Sequence, residues 1–304
     1  MDLSPVKVCY IAARAVDYLG MTLFLGGLLF LAVLWPGGAD QRPARRIVVT
    51  GWVLGVLGTV TAIGFEGAWI SQRGPGAVFD WQIVSQVLDV HFGQIWVARV
   101  LLWLLGGVVL AQLLQRGRVA AGALAWRTGF AAVAFGLLRT TGMTGHAAET
   151  ARPLLAQVAD FAHVLGVCAW LGGLVMLLLG VLVRRRPDEL AAVVPRYSVL
   201  AMGSVLVIVC AGVVLAWQTL GSLGKLVSTG YGRTLLFKIV VLAGILLVAQ
   251  GSRRWVNRRL DFAVVLRGDS ATVRPFVYSV AVETVLVIAV VVAAALLVTA
   301  SPGR

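Results

Sequence analysis

Charge, histidine and cysteine are all scarce in this sequence, and each shortage excludes something. Charged residues are 13% of the 304 positions against 60% hydrophobic, and the mean hydropathy is +0.93. A water-soluble domain of this length has no way to hide so much apolar surface. The three cysteines, Cys9, Cys168 and Cys210, are odd in number and form no CxxC pair, which argues against a disulfide scaffold and for buried, weakly polar side chains. No P-loop, Gly-x-Ser-x-Gly elbow, HExxH or CxxCH motif occurs, so nothing marks an ATP-driven pump or an enzyme. The N-terminal apolar stretch is broken by Arg14 and Asp17 and lacks a small-residue cleavage pattern, so it is expected to be a span, not a removable signal.

What the chain has in quantity is long apolar runs of the ~20 residues a bilayer-spanning helix needs. Eight are expected, near 8–35, 46–69, 93–115, 125–143, 157–183, 195–220, 232–251 and 276–299, giving an all-α polytopic membrane protein whose main partner is lipid. The net charge of +13 is unevenly placed. With eight spans, the loops near 36–45, 116–124, 184–194 and 252–275 share one side and carry most of the 26 Lys and Arg. By the positive-inside rule that side is cytoplasmic and both termini face outward; the same distribution argues against a nucleic-acid partner.

A weak internal duplication runs through the chain at an offset of 146. Leu19, Gly20, Leu25, Gly26, Gly27 and Leu28 recur as Leu165, Gly166, Leu171, Gly172, Gly173 and Leu174, and Phe92-Gly93 with Arg99 parallels Tyr231-Gly232 with Lys238. Two four-helix halves in the same orientation, 1–150 and 151–304, would form a parallel repeat. Asp17 of the first half then occupies the place of His163 in the second.

The three histidines, His91, His146 and His163, all fall near the outer face in this topology, and imidazole is the commonest protein metal ligand. The densest constellation runs from Gly142-Met143-Thr-Gly-His146-Ala-Ala-Glu149 to Asp160-x-x-His163 and Trp170-Leu-Gly-Gly173. Residues three or four apart share a helix face, so Asp160, His163, Gly166, Trp170 and Gly173 form one stripe, on which Asp160 is placed to orient the His163 ring or share its ligand sphere. Met143 and His146 set a thioether beside an imidazole, a pairing suited to copper, above all Cu(I). Arg14, Asp17, Glu66, Arg99, Arg139 and Lys238 lie in the outer halves of their helices and are candidates for a polar network around the histidines, with Glu149 in the outer loop, and Arg14 and Asp17 share a face on which they can pair. Met21, Met176 and Met202 read as packing residues. Glu283 stands alone, about two turns from the cytoplasmic end of the last span.

Gly145-His146-Ala147, Asp160-x-x-His163 and Ala169-Trp170-Leu-Gly-Gly173, continued by Arg196-Tyr-Ser198, Gly221-Ser-Leu, Tyr231-Gly-Arg233, Lys238 and Asn257-Arg258, resemble the copper-resistance D membrane family. The resemblance covers residues 140–300 well and the first half loosely. It implies an inner-membrane protein of copper uptake or homeostasis that works with an extracytoplasmic copper carrier; this chain has no outer segment long enough to be one. It also implies His146 and His163 as copper residues, with His91 supported by topology alone and Met143 or Asp160 assisting. Copper, as Cu(I) or Cu(II), is the expected ligand, bound by neutral imidazoles and hence more weakly in acid. Two readings stand beside transport: a membrane copper chaperone for an oxidase, and a b-type haem protein moving electrons, although three histidines permit one bis-histidine haem and not two.

Overall fold

A computed structural model describes residues 4–74, 91–143, 153–184 and 186–220, with scattered positions between 76 and 85 and between 222 and 244. Every element among them is helical: α1 (Pro5–Val33), a 3-10 turn (Pro36–Asp40), α2 (Arg42–Ile70), α3 (His91–Arg116), the short α4 (Arg118–Gly122), α5 (Leu124–Met143), α6 (Pro153–Arg184), α7 (Pro187–Leu220) and the short α8 (Lys225–Ser228). Among the described residues five helices are long and apolar enough to cross a membrane: α1, α2, α3, α6 and α7. The 20 residues of α5 rise about 30 Å and pack between α3 and α6. A shorter apolar helix, Leu235–Gly244, falls within the seventh expected span; the eighth, with Glu283, lies outside the described residues.

Helix ends differ from the hydropathy reading where polar residues extend a span. Arg42–Arg46 belong to α2, and α7 begins at Pro187 and runs through Pro195. Asp188 and Glu189 in the first turn of α7 complement the positive end of the helix dipole. Proline at 195 removes one backbone hydrogen bond, a loss a 34-residue helix tolerates near its start.

The basic segments among the described residues, those near 36–45, 116–124 and 184–194, meet at one end of the bundle. Asp40 accepts from the Arg118 backbone N–H at 3.1 Å and lies 3.8 Å from Arg45. Gly117 turns the chain there with φ +54°, where a Cβ would strike the Asp40 carboxylate. Arg184 sits over the Trp35 ring, 5.6 Å from its centroid, bringing the 184–194 loop to the same end. The opposite end holds the first residues of α1, α3 and α6 and the last of α2, α5 and α7.

Helix α1 is the axis of the packing. On one side Gly51, Gly55 and Gly58 of α2 let the backbones touch: a Cβ at Gly51 would meet the Phe24 N at 2.5 Å, and one at Gly58 the Asp17 N. Small residues at this spacing are what permit close helix approach in a bilayer. On the other side α1 crosses α6 through Gly26 and Gly27 against Gly172 and Gly173. A Cβ on Gly26 would strike the Cys168 carbonyl and one on Gly172 the Thr22 carbonyl, each also 2.7 Å from the other glycine's Cα; Gly27 abuts Met176 as Gly173 abuts Phe30. These α1–α6 contacts are reciprocal, each joining positions that have a counterpart 146 residues away. At this crossing α6 winds into π-helical turns over Cys168–Gly172 and Met176–Val181.

Candidate functional site

Below the end of the bundle that holds the first residues of α1, α3 and α6, apolar helices deliver a set of polar side chains to one buried layer. Asp17, 1% exposed, and Arg99, 2% exposed, form an ion pair at 2.7 Å. Thr59 Oγ1 donates to the other Asp17 oxygen at 2.9 Å. Arg99 Nη1 donates to the Leu137 carbonyl at 3.0 Å and to Thr140 Oγ1 at 2.7 Å. The pair thus ties α1, α2, α3 and α5 together. A charge pair this dry persists only where hydrogen bonds supply most of its shell; these do, leaving Arg99 Nε without a partner among the described residues.

The pairing differs from the sequence expectation of Arg14 with Asp17. The α1–α2 glycine contact turns Asp17 inward to α3, and Arg14 instead donates to Tyr18 Oη at 2.9 Å and lies over the Tyr18 and Trp96 rings, 5.3 and 5.4 Å from their centroids. One turn nearer that end of the bundle, Tyr10 Oη donates to Glu66 Oε1 at 3.3 Å, within electrostatic range of Arg14. Four of the expected network residues, Arg14, Asp17, Glu66 and Arg99, are therefore buried together. Arg139 is half-buried, with Nη1 lacking a hydrogen-bond partner among the described residues.

Toward the middle of the bundle the lining changes from oxygen to sulfur. Arg99 Nη2 also reaches Met21 Sδ at 3.6 Å, and Thr141 Oγ1 lies 3.9 Å from the same sulfur. Cys168 Sγ lies 3.9 Å from Thr22 Oγ1. Met21, Cys168 and Met176 are 0–1% exposed. The sequence marks all three as packing residues, because their contacts with polar groups and with α1 arise only from helix packing. Farther in, Phe24, Leu28, Phe30, Leu31 and Trp103 close the polar layer off with a fully apolar floor.

Of the expected metal residues, His163 is the histidine whose side chain is described. It is half-buried on α6 and faces α7, with Nδ1 at 3.1 Å from the Ile208 carbonyl and Gly212 leaving the ring room. A carbonyl only accepts, so in this contact Nδ1 carries a proton and donates it, which fixes the orientation of the ring. Along the predicted stripe, Gly166 and Gly173 also face α7, meeting Ile208 and Tyr197, whereas Asp160 points to Gly142 near the end of α5, 3.0 Å from where a Cβ would stand. Met143 ends α5 half-buried. His146, Glu149 and Lys238 and the side chain of His91 lie outside the described residues. Among the described residues no three His, Cys, Asp or Glu side chains converge as a metal ion would require.

Comparison with known proteins bears on what such a layer handles. A family model described as copper resistance protein D-like, N-terminal domain, matches residues 4–154, and one described as copper resistance protein D matches residues 191–297. His91 and His146 fall within the first stretch; Asp160 and His163 fall between the two. The chain is 28% identical over 268 residues to the copper transport protein CutJ of Bacillus subtilis (strain 168), which covers 82% of this chain and 48% of that protein. The chain thus spans about half the length of the curated relative it matches. No solved structure matches it.

Proposed function

Since this chain belongs to the copper-resistance D family of membrane proteins, we propose that it takes copper at the outer end of its helical bundle and carries it inward. The family membership carries the copper assignment. The position of His163 at that end of the bundle, its ring oriented by Nδ1 donating to the Ile208 carbonyl, supports an entry site there. His146, with Met143 and Asp160, completes this entry, and His91 stands at the neighbouring helix end. Copper is cargo here, and the imidazoles hold it in their neutral form.

The basic loops at the opposite end support a bacterial inner-membrane orientation with both termini outside. A separate extracytoplasmic carrier would hand copper to the histidines. Buried Asp17–Arg99 and Glu66–Tyr10 contacts keep the region beneath the entry polar and hold four helices in register around it.

The test is to purify the protein in detergent, load it with copper, and measure bound metal and the visible spectrum beside His146→Ala and His163→Ala. Stoichiometric copper is expected, with affinity falling at least ~10-fold in each variant, the lower end of what metal-site changes cost. A Soret band without bound copper would overturn the reading. Copper influx into vesicles holding the reconstituted protein then separates transport from delivery to a partner: a chaperone binds copper without moving it.

A further inference from the structure

We propose that Met21 of α1, facing α3 and α5, and Cys168 and Met176 of α6, facing α1, form a soft-ligand track for Cu(I) that descends from the polar layer, an inference that rests on the copper reading above. Five methionines and three cysteines are available in the chain. Met21, Cys168 and Met176 are 0–1% exposed, whereas Met202 is 58% exposed on α7 and Cys210 is exposed beside it. Thioether and thiolate sulfur are the protein ligands that favour Cu(I) over hard divalent ions.

The order along α1 is a descent. Met21 stands at the foot of the polar layer, against Arg99 and Thr141. Cys168 follows beside Thr22, and Met176 lies against Gly27 with Sδ 3.7 Å from its Cβ position. From Met21 to Gly27 the helix rises about 9 Å, past the level where the polar side chains end. The track therefore offers ligands where the rest of the core offers only hydrocarbon.

Two features let the seam between α1 and α6 open. The glycines Gly26, Gly27, Gly172 and Gly173 carry no side chains to interlock across it, and the π-helical turns over Cys168–Gly172 and Met176–Val181 are the kind of helical defect that accompanies functional sites. Arg99 guards the top. Its Nη2 contacts both Asp17 and Met21, so the thioether accepts a metal only when the guanidinium moves aside, while Asp17 offsets the charge of the arriving ion. Copper enters and leaves as Cu(I), and no electron transfer is involved.

The experiment uses the full chain in detergent and in vesicles, with Cu(I) kept reduced by ascorbate. Met21→Leu/Cys168→Ala/Met176→Leu is compared with Met202→Leu/Cys210→Ala. Methionine-to-leucine changes nearly conserve volume, so a packing role survives them; thermal unfolding verifies that both variants fold. X-ray absorption of Cu(I)-loaded wild type should show a sulfur shell that shrinks in the seam variant to the contribution of Met143 at the entry and that the control keeps. Influx should fall at least ~10-fold in the seam variant, as for other metal-site lesions, and not in the control. A sulfur shell and influx unchanged in the seam variant overturn the track. A wild type that moves no copper overturns transport, and the sulfur shell by itself then decides the seam. Should the seam variant fail to fold, the single variants Met21→Leu and Met176→Leu are read in the same way.

Discussion

Replacing Arg99 with methionine should destabilise the protein by about 3–5 kcal/mol, the range measured when one partner of a buried ion pair is removed. The substitution strands the Asp17 carboxylate, 1% exposed, with Thr59 as its remaining donor. Asp17→Leu should be comparably damaging, because Arg99 would keep neutral partners alone, the Leu137 carbonyl, the hydroxyls of Thr140 and Thr141 and the Met21 thioether. Removing both charges in Asp17→Leu/Arg99→Met should cost far less than the two single effects together, since neither charge is then left unpaired. Thermal unfolding of the four proteins in one detergent measures this cycle; strict additivity would show that the pair is not a unit. The double variant also asks whether the charges serve more than stability: if Arg99 guards the sulfur seam, the refolded neutral pair should alter copper influx while outer-site copper binding stays intact.

The second large effect concerns the α1–α6 crossing. Gly26→Ala and Gly172→Ala should each destabilise by about 1–3 kcal/mol, the usual range for overpacking, and by similar amounts. The reciprocity of their contacts is the reason: each new methyl group would strike a backbone carbonyl of the other helix, Cys168 for one and Thr22 for the other. Backbone has no rotamer with which to move away. Gly129→Ala and Gly203→Ala are the counter-cases, with open space at the Cβ position; there the better helix propensity of alanine, about 1 kcal/mol, should dominate and stability should rise or hold. Four melting curves compare the two classes. A loss at Gly129 or Gly203 equal to that at Gly26 would remove the crossing as the cause.

The candidate site was only partly legible in the sequence. Asp17, Arg99, Arg14 and Glu66 stood out because an ionisable residue inside an apolar run is costly and therefore conspicuous. Their pairing did not, because a helix period says which residues share a face and not which neighbour that face meets. Arg14 and Asp17 share α1, yet the partner of Asp17 came from α3, 82 positions away. His163 was legible as a residue, but its orienting partner is a backbone carbonyl, that of Ile208, and every residue has a carbonyl. The sulfur side chains were the least legible: methionine and cysteine fill cores as often as they bind metal, and their contacts with polar groups and with α1 arise only from helix packing.

By itself the sequence determined the class of this protein. Apolar runs of bilayer length, basic loops at one end and the copper-resistance D motifs each depend on local composition and spacing, and these survive without knowledge of any contact. Most expected spans through residue 220 fall close to observed helices for that reason, since in a bilayer an apolar segment has to satisfy its backbone within itself. Only the tertiary structure decided which charges neutralise one another, which face of α6 meets α1, and that glycines 146 residues apart touch. Those outcomes depend on helix crossing and rotation, and small differences in side-chain volume at the glycine contacts set both.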